Sequence, residues 1–366
     1  MKFNCSRTDL ANAVTNVSRA VSSKTTIPAL EGILIRAKEG HIILSAYDLE
    51  IGITTKIEAS VLTPGEIVVS ARLFSEIVRK LPEEVVTMET DERLITYITS
   101  GQADYQIVGI SSVEFPDLPT FETTDEIVIK EGLIKNMIKQ TIYAVSENNA
   151  KAIYTGSLFE ISNKNLRIVA VDGFRMAIRT EAIDYDRDTR FVIPGKTQSE
   201  FLKLLGNDEE EMVSIIVGER HVMFKVKEYS IISRLIEGTF LDYETTIPKG
   251  KETVVNINTR VLISAVERMA LITSEKIQSP VKCTFTGDEI RLSCSTAVGK
   301  ATDVLRTTIA GNDVTIGFNH KYLLDALKNA DTDEVRLVIN GGLSPMIVKP
   351  VSGDSFLFLV VPMRLA

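Results

Sequence analysis

Apolar residues recur along this chain at the spacing of one helix face, and they do so in matching places. One set of stripes is Leu10/Val14/Val17/Val21, then Ile134/Met137/Ile138/Ile142/Val145, then Leu262/Ala265/Val266/Met269. Each follows a short alternating run, at 2–5, 126–129 and 253–257, that reads as a strand. The spacing predicts amphipathic helices within 8–22, 131–146 and 259–273, each burying one stripe. A second set of windows, 72–81, 196–205 and 320–329, is also helical in period. Glu66 to Val78 lines up with Arg190 to Leu202 at a displacement of 124 positions, and Phe201/Leu202 reappear as Ala326/Leu327. An acid-rich turn leads from each second helix into a strand, at 81–85, 206–212 and 330–335.

Self-similarity at a fixed period marks a repeated supersecondary unit. Here the unit is a strand, a helix, several strands, a second helix and more strands. Alternating runs broken by turn residues, such as 94–99 with 103–108 and 221–226 with 229–235, predict antiparallel hairpins. Asp172-Gly173 between two alternating runs reads as another hairpin turn, and Gly341-Gly342 as a turn between strands. The connecting segments 113–121 and 238–248 match as well, with Phe115 and Phe240 in corresponding places. The predicted fold class is therefore α+β: three repeated domains, 1–120, 121–248 and 249–366, each with two helices packed on antiparallel sheets.

A chain of 366 residues is too long for one ordinary core, which agrees with three domains. Its hydrophobic fraction of 44% and charged fraction of 25% are those of a globular protein. The first residues have no apolar leader, and the run 356–363 is too short to span a bilayer, so a cytoplasmic protein without a membrane partner is expected. Cys5, Cys283 and Cys294 have no paired spacing and read as buried thiols.

The net charge of −8 argues against nucleic acid only if it is spread evenly. It is not. The six helical windows hold twelve Lys and Arg against six Asp and Glu, in a chain with 41 and 49. The cations are Arg19, Arg72, Arg79, Lys80, Lys135, Lys139, Lys196, Lys203, Arg260, Arg268, Lys321 and Lys328, with Lys24 just past the first window. Basic helices on an otherwise acidic protein suit a surface that meets the phosphates of duplex DNA independently of sequence, since no base-reading motif is present. Chemistry is absent by the same reading. His41, His221 and His320 lie far apart, and no phosphate-binding loop, nucleophile elbow, metal spacing or cofactor motif occurs. On residues alone, a nucleic-acid enzyme or nuclease subunit using that basic surface, which would need clustered carboxylates or histidines for metals, and a scaffold that binds only proteins also remain open.

The stretch Ala170-Val-Asp-Gly-Phe-Arg-Met176 resembles the bacterial DNA polymerase III β subunit, the sliding-clamp family. So do Met1-Lys-Phe3, Thr26-Ile-Pro-Ala-Leu30, Tyr47-Asp-Leu-Glu50, Val192-Ile-Pro-Gly-Lys196, Ile316-Gly-Phe-Asn319 and Val361-Pro-Met-Arg-Leu365, in family order from start to finish. The resemblance implies a head-to-tail homodimeric ring with twelve helices lining the hole. At ~10 Å per helix the lining is roughly 120 Å round, leaving about 28 Å clear, enough for a duplex with water. It also implies partners: the replicative polymerase, the clamp loader, and other polymerases and repair proteins that dock through short peptides. Their pocket would be lined by Tyr154, Val171, Gly173, Phe174, Arg175, Met176, Leu241, Thr245, Thr246, Val360, Val361, Pro362 and Met363, of which Val171 and Val360 read equally as core. Phe174 stands where many members have His, and Thr245 where some have Arg. Subunit contacts would involve Leu271 and Ile272 on one copy and Tyr105 and Ile107 on the other.

Overall fold

The computed structural model of the protein describes residues 1–22, 24–121, 125–206, 208, 210–273 and 279–365. The first repeat contains β1 (Lys2–Ser6), α1 (Arg7–Val17), β2 (Gly32–Lys38), β3 (His41–Tyr47), β4 (Ile51–Glu58), β5 (Ser60–Thr63), β6 (Gly65–Ser70), α2 (Ala71–Val78), β7 (Val85–Thr90), β8 (Ile95–Ser100) and β9 (Ala103–Val108). The second contains β10 (Ile127–Lys130), α3 (Glu131–Ile142), β11 (Gly156–Ser162), β12 (Asn165–Val171), β13 (Arg175–Ala182), β14 (Thr189–Pro194), α4 (Gly195–Leu204), β15 (Met212–Val217), β16 (His221–Val226) and β17 (Tyr229–Arg234). The third contains β18 (Thr253–Asn258), α5 (Thr259–Ala270), β19 (Val281–Thr286), β20 (Glu289–Thr296), β21 (Gly299–Arg306), β22 (Ile309–Ala310), β23 (Val314–Phe318), α6 (His320–Lys328), β24 (Glu334–Ile339), β25 (Met346–Pro350) and β26 (Phe356–Val360). All six predicted helices are present. Of the acidic turn at 206–212, Asn207 and Glu209 lie outside the described residues.

Three helices, α1, α3 and α5, stop short of the ends of their predicted windows, for a common reason. The Ser18 hydroxyl donates to the Val14 carbonyl at 2.6 Å, Thr141 to Met137 at 2.9 Å, and Thr273 to Ala270 at 2.9 Å. A hydroxyl that bonds back to the preceding turn competes with the helix ladder. The starts are capped: Ser6, Asn258 and Asn319 side chains accept from the backbone N–H of Asp9, Val261 and Lys321. Glu84, in the first acidic turn, adds a clamp. Its carboxylate accepts from the Ser6 hydroxyl at 2.7 Å and from the Thr8 N–H and hydroxyl at 3.0 Å, which lowers its pKa to about 2.

The chain divides into two compact units. Unit one, Met1–Gly132 with Ser199–Leu235, holds a five-stranded sheet, β5-β1-β7-β8-β9, and an eight-stranded sheet, β10-β15-β16-β17-β4-β3-β2-β6. The larger sheet joins two repeats edge to edge, with Tyr229 of β17 opposite Thr55 of β4 and Ile231 opposite Ile53. Unit two, Leu133–Gln198 with the residues from Ile236 onward, holds a nine-stranded sheet, β14-β11-β12-β13-β26-β25-β24-β18-β22, and a four-stranded sheet, β21-β20-β19-β23. Here too a sheet crosses a repeat boundary: Phe356 of β26 lies opposite Arg179 of β13, and Phe358 opposite Ala177. All pairings are antiparallel. Helices bury the stripes the period marks, for example Leu10, Ala13, Val14 and Val17 on α1 and Leu262, Ala265, Val266 and Met269 on α5.

The matched connecting segments are anchored alike. Phe115 is buried with Leu30, Leu34, Tyr47 and Val68, and Phe240 with Leu158, Val169, Met176 and Leu359. Cys5, Cys283 and Cys294 are free and buried. Burial pushes the thiols of Cys5 and Cys283 up to about 12.

Candidate functional site

The hairpin between β12 and β13 is shaped by Asp172. One carboxylate oxygen accepts from the N–H groups of Phe174 and Arg175, at 2.8 and 3.0 Å, and Gly173 takes the left-handed conformation the turn needs (φ +91°). The other oxygen accepts from Arg175 Nε at 2.9 Å, and Arg175 Nη1 donates to Asp325 of α6. Burial disfavours the guanidinium, but Asp172 and Asp325 outweigh it and raise its pKa. The same guanidinium lies 4.9 Å over the Tyr322 ring and 5.4 Å over Tyr143, so it is held by two carboxylates and two aromatic faces. Phe174 at the hairpin tip is 57% exposed and stacks on Tyr322 with ring centroids 5.5 Å apart. Tyr322 is a wall of two cavities in unit two. One, of about 480 Å³, is lined by Val145, Glu147, Lys151, Tyr154, Gly173 and Phe174 among others. The second, of about 590 Å³, is lined by Asn319, His320, Asp325, Lys328 and Met363.

The structure gathers most of the predicted pocket residues but sorts them. Tyr154, Val171, Leu241 and Val361 pack round Met176 in an apolar cluster, with Tyr154 edge-on to Phe240 at 5.6 Å. Thr245 and Thr246 spend their hydroxyls on the carbonyls of Asp242 and Tyr243, at 2.7 Å each. The Val361 N–H donates to the Phe174 carbonyl and the Met363 N–H to the Gly317 carbonyl, so backbone bonds on both sides of half-buried Pro362 fix the segment. Val360, which the sequence reads equally as pocket or core, is placed apart from these. Strand alternation turns it, with Phe356 and Phe358, to the opposite face, where it is wholly buried in the other core. Sequence reasoning missed Tyr322, Asp325 and Tyr143. The signal for Tyr322 was its place off the buried stripe of α6, which is Leu323, Ala326 and Leu327.

Of the thirteen predicted DNA-facing cations, Lys24, Arg72, Arg79, Lys80, Lys139, Lys196, Lys203, Arg260, Arg268, Lys321 and Lys328 are exposed, and Arg19 and Lys135 half-buried. Five face carboxylates: Arg19 and Lys203 reach Glu200, Arg72 reaches Glu76, Arg268 reaches Asp303, and Lys328 reaches Glu267. Among the residues expected at the subunit contact, Leu271 is 83% exposed at the end of α5. Ile272 packs partly on the core, and Tyr105 is half-exposed on β9. Alternation on β9 turns Ile107 inward, and it is buried within the chain. Among the described residues no group of His, Cys, Asp or Glu could hold a metal ion, and no helix is long and apolar enough to cross a membrane.

Family models for the N-terminal, central and C-terminal domains of the DNA polymerase III beta subunit match residues 1–119, 128–242 and 244–364. The chain is 34% identical over 377 residues to a protein of Bacillus subtilis (strain 168) described as "Beta sliding clamp", covering all of both. Its fold is similar to the crystal structure of a DNA polymerase sliding clamp from Bacillus subtilis, with a TM-score of 0.97 at 34% identity. It is similar also to a putative DNA polymerase III beta subunit from Eubacterium rectale, with a TM-score of 0.96 at 35% identity, again across both whole chains.

Proposed function

Because this chain belongs to the DNA polymerase III beta subunit family along its length, we propose that it is a DNA sliding clamp, with domains at 1–120, 121–248 and 249–366. Two copies close head to tail round duplex DNA, and the ring tethers the replicative polymerase to its template. The carrying observation is the excess of cations over acids in the six helical windows, twelve Lys and Arg against six Asp and Glu, in a chain whose net charge is −8. Such faces attract phosphates, while the acidic remainder discourages non-specific adsorption. Since five of these cations, in five of the six helical windows, already face carboxylates, most of the helices pull on the duplex weakly. Weak, sequence-blind attraction suits sliding, and the closed ring supplies the retention that the charges do not.

The Asp172–Arg175 hairpin, Tyr322 and the apolar cluster round Met176 form the docking place for partner peptides from polymerases, the loader and repair proteins. A short peptide with a glutamine and large apolar residues would use such apolar walls, and Met363 supplies an adaptable surface for several sequences. No catalytic role is assigned to this chain; its contribution to synthesis is tethering.

The test is topological. Protein loaded on a nicked circular plasmid should stay through gel filtration and leave within minutes once a restriction enzyme linearises the circle. Equal loss from circular and linear DNA would refute the clamp reading.

A further inference from the structure

One face of the strands β14, β11, β12 and β13 changes character two residues along each strand. Val192, Leu158, Val169 and Ile178 lie side by side in one row and belong to the apolar cluster round Met176. The next row on the same face, Arg190, Glu160, Arg167 and Thr180, is polar. A cavity of about 880 Å³ opens over it, lined also by Asp242, Tyr243 and Glu244. Tyr243 spans the two rows. Its ring is 4% exposed and sits in the apolar cluster, while its hydroxyl reaches the polar row. Arg167 Nη1 donates to that oxygen at 2.7 Å, and the hydroxyl donates onward to Glu160. The same Nη1 donates to Glu244 Oε1 at 2.8 Å, and the guanidinium lies 5.8 Å from the Tyr243 ring centroid. Burial and the bond to Glu160 push the Tyr243 phenol up to about 12, so it stays a donor.

We infer that Arg167 and Glu160 are positioning residues for partner docking. Through Tyr243 they hold the turn Tyr243–Thr246, with Leu241 just before it, as one wall of the apolar cluster. This rests on the docking reading above and assigns part of the affinity to residues that a bound peptide does not touch.

The turn has few other ties. Its two threonine hydroxyls bond to carbonyls of its own segment, and the Ile247 N–H donates to the Glu244 carbonyl. Among the described residues, its further polar contact with the sheet is the Thr246 hydroxyl 3.9 Å from the Met176 sulfur. Each link from Arg167 through Tyr243 to Glu160 involves a charged group, which makes it short and directional. Apolar burial of the ring alone is non-directional and would let the turn shift on the sheet. Apparent affinity is reduced by the fraction of molecules whose binding wall is in place, so a loosened turn weakens docking with every peptide contact intact. The polar row is also open to dissolved ions through its cavity, with the Arg167 side chain 34% and that of Glu244 66% exposed, so salt screens the tie.

The test titrates a blocked, uncharged glutamine-leucine-phenylalanine peptide into the full chain and follows hydrogen exchange of the same proteins. Tyr243→Phe keeps the ring in the cluster and removes the hydroxyl, and Arg167→Ala removes the donor behind it. Each should weaken the peptide about fivefold or more. Each should also speed exchange of the amides at 241–247 while the rest of unit two keeps the parent's rate, and saturating peptide should restore the protection. Arg167→Lys, which keeps one charged donor, should fall between. Raising sodium chloride from about 0.1 to 1 M should weaken this uncharged peptide more in the parent than in Arg167→Ala. Unchanged affinity in both variants with faster exchange at 241–247 would overturn the inference and leave the docking reading standing. Weaker binding with unchanged exchange would overturn it too, because Arg167 would then be acting on the peptide itself. A parent that does not bind the peptide would sink the docking reading, and this inference with it.

Discussion

Replacing Arg175 by alanine tests whether the hairpin site is held together by its guanidinium. The side chain is 12% exposed, and removing it strands Asp172, at 13%, and Asp325, at 32%, while opening a gap between the Tyr143 and Tyr322 rings. Breaking a buried ion pair costs about 3–5 kcal/mol, an exposed one at most ~1 kcal/mol, and each cation–ring contact ~0.5–2 kcal/mol. This site lies between the extremes, so a loss of about 2–4 kcal/mol is expected. For a unit of roughly 200 residues that lowers the melting temperature by about 5–15 °C. Calorimetry is the assay, because the two compact units need not unfold as one and a transition belonging to one unit is resolved there. Arg175→Ala combined with Asp325→Asn should cost less than the sum of the single changes by ~1 kcal/mol or more, since the stranded carboxylate is then gone. Arg175→Lys, which keeps the charge and loses the fork, should fall between. An Arg175→Ala protein that melts within 1 °C of the parent would refute the argument.

Other outcomes follow from single contacts. Met363→Ala should leave unfolding nearly unchanged, because backbone bonds hold its segment, and weaken a glutamine-leucine-phenylalanine peptide at least ~10-fold by titration; early melting with normal binding would mark it as core. Lys139→Ala should flatten the salt dependence of DNA binding by up to ~1 unit, and Arg268→Ala by less, because Arg268 already faces Asp303; a larger effect from Arg268 would contradict this. Glu84 has a folded pKa lowered to about 2, so its clamp on the start of α1 is present above the ordinary carboxylate range and fades as pH falls from about 4.5 toward 2. The melting difference between parent and Glu84→Gln should therefore be largest near neutrality and vanish by about pH 2.

Local patterns were legible in the sequence. The stripes located all six helices, and the shift that aligned Phe115 with Phe240 marked two residues that are buried alike. What the sequence concealed was decided by partners distant along the chain. The helix ends at Val17, Ile142 and Ala270 turn on hydroxyls choosing a carbonyl, which periodicity does not weigh. Val360 and Val361 are adjacent and chemically alike, and only the pairing of β26 with β13 settles which of them faces the cluster round Met176. The Phe174–Tyr322–Arg175–Tyr143 arrangement joins residues from three separate stretches, none of which announces the others.

The three buried thiols make the protein its own opening gauge. Burial holds the Cys5 and Cys283 thiols well above the ordinary thiol range, so little thiolate is present at neutral pH, and little of either side chain is reachable in the closed state. Alkylation must then wait for the strand that carries the cysteine to come away from its neighbours. Cys5 lies on β1 in unit one, and Cys283 and Cys294 lie on β19 and β20 in unit two. Mass-resolved labelling over time would therefore clock the breathing of each unit separately, without introducing a probe.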